Sequence, residues 1–275
     1  MSEIKHANEL RGAEFKSLTR KKKTWIWTGL LAIALAVGGF FVHPALAAAG
    51  LVLGFLIGIG IAFWIADHRA EEAFFNAYAK SRGLTRSGGD LPPATPLLRK
   101  GDERQTDEMF QGPLNDEFDG TLALYTWTDV SHDSDGDRTE TNYPFTVVLI
   151  NVPECAEQIP ELMLQRKSGL KALEKFEDSF RRNHERVTLE SEAMRDRYEI
   201  FVKKEQDAVF VRRLFAPSFI VWLTETPPQK FAFELVNGTL CCYVPKHRDD
   251  AAGFDEMIAV GTAVAKRLRE ESVPA

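Results

Sequence analysis

From Trp25 to Ala66 the chain runs 42 residues without an Asp, Glu, Lys or Arg, in a protein where 27% of residues are charged. No other feature constrains the fold so strongly, because an apolar run of this length has to be taken out of water. His43-Pro44 divides it into Trp25 to Val42 (18 residues) and Ala45 to Ala66 (22 residues). As helices rising 1.5 Å per residue these are about 27 and 33 Å long, against roughly 30 Å of hydrocarbon, so the spacing predicts an N-terminal transmembrane helical hairpin. Arg20, Lys21, Lys22 and Lys23 precede the first span and Arg69 follows the second, while the connecting turn carries no Lys or Arg. Basic residues stay inside, which places both termini in the cytoplasm and a very short turn outside, as a two-pass chain. Trp25, Trp27 and Trp64 stand at the ends that share the inner side, where their rings suit the interface. A cleaved signal peptide ending at Ala45-Leu46-Ala47 is the rival reading, and it leaves the C-terminal part on the same side.

Gly50, Gly54 and Gly58 recur every four residues on the second helix, and Ala34 and Gly38 do so on the first. Small residues at that spacing let helix backbones approach closely, within one hairpin or between protomers.

The net charge of -6 is unevenly divided. Residues 1–24 form a basic tail of net +4, with seven Lys or Arg against three Glu; residues 67–275 carry 27 basic and 37 acidic residues, net -10. The tail suits an anionic lipid surface as well as a topology signal. The acidic remainder excludes the basic footprint of a nucleic-acid binder, and 11% aromatic content excludes wholesale disorder. Three cysteines, Cys155, Cys241 and Cys242, build no disulfide framework and show no C-x-x-C spacing, so they read as reduced thiols.

Asp67 to Arg82 continues the helical pattern to a stop at Gly83. Ser87-Gly-Gly-Asp90 and prolines 92, 93 and 96 then read as a linker or wrapped loop, so residues 67–104 form a juxtamembrane helix and linker. Residues 105–275 are predicted as an α+β domain with a mixed, mostly antiparallel sheet and packed helices. Thr121 to Thr128 and Tyr143 to Ile150 pair as a hairpin across the loop of Asp133-Ser-Asp-Gly-Asp137; Phe231 to Val236 and Thr239 to Val244 pair across Asn237-Gly238. Shorter strands are expected at 160–165, 186–189 and 198–202. Helical spacing marks 170–182, 208–223 with a break at Pro217, and a C-terminal helix through Phe254, Met257, Ile258, Gly261, Val264 and Leu268.

No residue takes a catalytic, cofactor or metal role. Asp133, Asp135 and Asp137 alternate as in a calcium loop, but Arg138 stands at the glycine position and Pro144 at the bidentate glutamate position. The histidines show no metal spacing, and neither a phosphate loop nor a nucleophile elbow occurs. Cys241 and Cys242 point to opposite faces of a strand, one to the core and one to the surface. Arg181, Arg182, Arg186, Arg195, Arg197, Arg212 and Arg213 alternate with acids as a salt-bridged surface does, and could also meet an anionic partner.

Ser81-Arg-Gly-Leu84, Thr95-Pro-Leu-Leu-Arg99, Phe145-Thr-Val-Val148 and Leu214-Phe-Ala-Pro-Ser-Phe219, following the apolar block in this order, resemble a family of bacterial, chiefly actinobacterial, two-pass membrane proteins with a cytoplasmic C-terminal domain. The resemblance implies a two-pass topology and a bacterial inner-membrane location, and it assigns no activity to any position. The resulting expectation is an anchored protein-interaction module whose partners are membrane lipid and a protein or a second copy. The alternative is a small-ligand or enzymatic domain whose polar groups converge only on folding.

Overall fold

The computed structural model describes residues 16, 22–41, 43–132, 136–167 and 183–272. Two compact units divide the chain, Met1–Lys80 and Ser81–Ala275.

The first unit holds helices α1 (Lys22–Phe40) and α2 (Pro44–Arg82), the latter ending where Gly83 takes a left-handed φ of 67°. They pack antiparallel through the predicted glycines. A Cβ on Gly50 would lie 2.5 Å from the Leu35 carbonyl oxygen, on Gly54 2.5 Å from the Ala32 Cα, and on Gly58 2.5 Å from the Thr28 Cγ2. The facing stripe of α1 is therefore Thr28, Ala32 and Leu35. Ala34 and Gly38 are exposed instead, and a Cβ on Gly38 would meet nothing within 4 Å.

Among the described residues no helix is long and apolar enough to cross a membrane. That finding corrects the expected transmembrane hairpin, and with it the multi-pass inner-membrane location with both termini cytoplasmic. α2 then runs unbroken into the charged stretch from Asp67 to Arg82.

The second unit is one nine-stranded sheet, every pairing antiparallel, in the order β1-β2-β3-β4-β9-β8-β5-β7-β6. The strands are β1 (Thr85–Ser87), β2 (Glu103–Pro113), β3 (Asp119–His132), β4 (Arg138–Asn151), β5 (Glu161–Arg166), β6 (His184–Val187), β7 (Tyr198–Lys203), β8 (Ala232–Val236) and β9 (Thr239–Pro245). Helices α3 (Pro96–Arg99), α4 (Glu192–Arg197), α5 (Ala208–Leu214), α6 (Pro217–Glu225) and α7 (Ala251–Ser272) join or cover them. Asn237 and Gly238 both take positive φ, 47° and 80°, as a tight turn between β8 and β9 requires.

Both faces of the central strands are buried. α7 covers one with Phe254, Met257, Val264 and Leu268, and its Gly261 comes so close that a Cβ would sit 3.0 Å from the Val148 Cγ1. The other is covered by the segment from Leu91 to Lys100, whose Leu91, Leu97 and Leu98 pack with Met109, Tyr125, Trp127, Val147, Cys241 and Tyr243. Cys241 and Cys242 do point to opposite faces, but both are fully buried, so neither is the expected surface thiol. The proline-rich stretch read as a linker is this covering strap, and β1 and β2 lie where no strand was predicted.

Candidate functional site

Three places in the second unit bring polar groups together. The first is an open cleft of about 410 Å³ lined by Leu189, Phe215, Pro217, Ile220 and Val221, with Glu190 and Arg212 among its polar lining. Local sequence builds its walls. Ser191 caps α4 by accepting the Met194 N–H, and Pro217 closes α5 off from α6 while supplying the first position of α6. Phe215, Phe219 and Trp222 form a ladder of rings with centroids 5.9 and 5.6 Å apart. The Tyr198 hydroxyl donates to the Leu223 carbonyl at 3.3 Å and Arg197 donates to the Thr224 carbonyl, tying α6 to the start of β7.

Immediately before the cleft lies β6, which stands at the end of the sheet order and pairs with β7 alone among the described residues. Of the basic stretch predicted in this region, Arg186 pairs with Glu199 and Arg213 with Glu271. Arg195 and Arg212 are exposed and make no ion pair among the described residues. Arg181 and Arg182 lie outside the described residues.

The second place is beneath the strap. Glu234, on β8, is fully buried. Its Oε2 accepts the Leu97 N–H at 2.8 Å and its Oε1 takes the Tyr243 hydroxyl at 3.5 Å. The Thr95 hydroxyl faces this carboxylate and the Cys241 thiol without closing a hydrogen bond. Lys100 stands over the Trp127 ring, 4.8 Å from its centroid, and contributes positive charge. Burial outweighs these partners and pushes the carboxyl up to about 7. Burial also raises the Tyr125, Cys241 and Tyr243 groups, which stay protonated. The Tyr125 hydroxyl and the Trp127 indole N–H are buried without a hydrogen-bond partner.

The third place follows from a bulge in β2 between Thr106 and Glu108. It directs Asp107 to Thr126 Oγ1 at 3.1 Å, and His247 Nε2 lies 3.2 Å from the same hydroxyl and 3.5 Å from the Asp107 carboxylate. Hydroxyl, imidazole and carboxylate are thus adjacent, but acid and hydroxyl share one ring nitrogen. A nucleophile triad needs them on opposite nitrogens, so the set does not relay a proton as a triad does.

Sequence reasoning missed Glu234, Lys100, Asp107 and His247. A legible signal existed only for Glu234, the one acid inside the apolar strand Ala232–Val236. Among the described residues no group of three His, Cys, Asp or Glu could hold a metal ion. The acidic loop considered for calcium falls partly outside the described residues, at 133–135. So do Arg20 and Lys21, and the side chains of Lys22 and Lys23; Trp25, Trp27 and Trp64 are exposed.

No family model matches the chain, and no curated protein does. Among solved structures, that of the mycobacterial trehalose monomycolate transport factor A, TtfA, is similar at a TM-score of 0.46 and 10% identity, over 75% of this chain and 97% of that one. A likeness at that level carries no functional argument.

Proposed function

We propose that the protein is an interaction module, whose second unit receives an extended, acidic and apolar segment of a partner protein along β6 and in the adjoining cleft. The observation that carries this reading is the position of the cleft directly after a strand at the sheet edge. An edge strand offers main-chain donors and acceptors to a further strand, and an adjacent apolar recess takes that strand's side chains. A lipid chain would use the recess but has no use for the edge. Arg212, exposed and without an ion pair among the described residues, lies beside the apolar floor and favours a segment carrying Asp or Glu next to its apolar residues. Panning a random peptide display library against the full chain tests it. Peptides mixing apolar and acidic residues are expected, with binding lost in Arg212→Glu. No enrichment, binding unchanged in both Arg212→Glu and Val221→Glu, or a cleft that takes free fatty acid and no peptide overturns the reading.

A second surface favours lipid as a further partner. Around α1 and α2 large apolar side chains stand exposed, among them Trp27 at 71%, Phe41 at 85% and Trp64 at 69%. Apolar surface on this scale is covered when a protein works. The full chain is expected to float with neutral phosphatidylcholine vesicles, and to float less in a Leu30→Glu, Leu56→Glu double variant. A chain that stays with the dense fraction overturns this part alone.

A further inference from the structure

We propose that the strap from Asp90 to Lys100 is a proton-sensitive latch, closed on the sheet while Glu234 is protonated and loosened when it ionises. The strap is fixed at its rim by Leu91 N–H to Thr106 Oγ1 at 3.1 Å, and internally by Arg99 Nε to the Pro93 carbonyl at 2.8 Å and Arg99 Nη2 to the Ala94 carbonyl at 2.9 Å. Between rim and sheet, the centre meets polar chemistry at Glu234. An ionised carboxylate has about four lone-pair sites to fill, and here it finds one good donor, Leu97 N–H, and one at the limit of range, the Tyr243 hydroxyl. A protonated carboxyl needs less; the Thr95 hydroxyl, which faces it without closing a hydrogen bond, favours the ionised form but is outweighed by burial.

The groups facing Glu234 favour its charged form, and burial outweighs them. The strap brings Thr95 and Lys100, β9 brings Cys241 and Tyr243, and β3 brings Tyr125. Only Lys100 favours the charged form by its charge, and it loses to burial. On the far side β5 presents Met163 opposite Glu234 in the register, which adds no charge. Lifting the strap returns the carboxylate to water, where it ionises near its ordinary value of 4.5. Protonation therefore favours the closed strap. The closed form weakens progressively as pH rises from about 4.5 to about 7 and changes no further above that. Across this window the opening equilibrium grows by up to about 300-fold, the separation of the two values expressed as a ratio.

The two adjacent thiols report it. Cys241 lies under the strap and Cys242 under α7, and both are fully buried. Thiol labelling of the full chain, kept in solution with a mild detergent, gives the ratio of the two rates. That ratio removes the intrinsic pH dependence the exposed thiols share, and the charge of an ionised Glu234 beside Cys241 can only lower it, so a rise reports opening of the strap. It is expected to rise at least tenfold between pH 5 and 7.5 and then level off, and to be flat in Glu234→Gln. A flat ratio in the unaltered chain, or the same rise in Glu234→Gln, overturns the proposal. Should Glu234→Gln fail to fold, hydrogen exchange of the Leu97 amide in the unaltered chain, corrected for intrinsic rate, decides. Protection that falls over the same window supports the latch, and constant protection overturns it.

Discussion

The carboxylate of Glu234 accepts the backbone N–H of Leu97 at 2.8 Å across 137 residues of sequence, in a site with no exposure to solvent. This contact joins the proline-rich strap to the centre of the sheet. It also places an ionisable group where its charge is unwelcome, and the consequences for stability have a definite sign.

Glu234 is held at about 7 in the folded chain against 4.5 for the free group. A raised carboxyl stabilises the fold when protonated, so its contribution is complete below about 4.5, falls as pH rises toward 7 and is gone above it. At about 1.4 kcal/mol per unit the loss is on the order of 3 kcal/mol. Denaturant titrations at pH 5 and pH 8 should show the unaltered chain less stable at pH 8. Glu234→Gln should narrow that gap, and an equal gap in both proteins would refute the assignment.

The Tyr125 hydroxyl is buried and finds no hydrogen-bond partner. A buried polar atom left unbonded costs about 1–3 kcal/mol. Tyr125→Phe should therefore leave stability unchanged or raise it by about 1 kcal/mol, as equilibrium unfolding would show. Tyr243→Phe removes a hydroxyl that reaches Glu234 at 3.5 Å, and should not stabilise. Tyr125→Phe destabilising by more than Tyr243→Phe would mean that a bound water satisfies the first hydroxyl.

Much of the sheet was legible because its signals are local. Asn237-Gly238 determines its own turn, and the branched and aromatic runs at 121–128 and 143–150 lie within β3 and β4. β2 was not legible, since Glu103 to Asp107 reads as charged surface and gains strand geometry only by pairing with β3. The strap misled for the opposite reason: its prolines exclude regular structure but not burial, and Pro96, Leu97 and Leu98 are all buried. For Cys241 and Cys242, alternation gave the faces correctly while hiding that both are covered. The apolar block was read as two spans from its length and flanking charges, whereas among the described residues no helix is long and apolar enough to cross a membrane. The Glu234 site joins residues far apart in sequence, which neither spacing nor composition records.

The helix pair depends on glycine most where a Cβ would strike backbone. At Gly50 and Gly54 a Cβ would lie 2.5 Å from the Leu35 carbonyl oxygen and the Ala32 Cα, backbone atoms that cannot swing away, whereas at Gly38 it meets open space. Overpacking of this kind costs about 1–3 kcal/mol. Gly54→Leu should lower the midpoint of helix melting followed by circular dichroism in detergent, and Gly38→Leu should leave it in place or raise it through better helix propensity. Equal effects at the two positions would show that α1 and α2 do not meet along this stripe.

The cleft can be separated from general surface stickiness by comparing exposed residues on neighbouring helices. Val221 lines the cleft and is half exposed, whereas Val209, 72% exposed on α5, does not line it. Both positions accept a charge without cost to the core, so Val221→Glu and Val209→Glu should fold with stabilities within about 0.5 kcal/mol of the unaltered chain. For a peptide recovered by panning, Val221→Glu should weaken binding at least tenfold in a fluorescence-polarisation titration, while Val209→Glu leaves it within twofold. The acidic residues of the peptide add a second signature. Raising salt from 50 to 500 mM should weaken binding to the unaltered chain, because exposed charges are screened beyond a few ångströms at the higher value. The dependence should flatten in Arg212→Glu. Equal losses from Val221→Glu and Val209→Glu would place the binding surface elsewhere on the sheet.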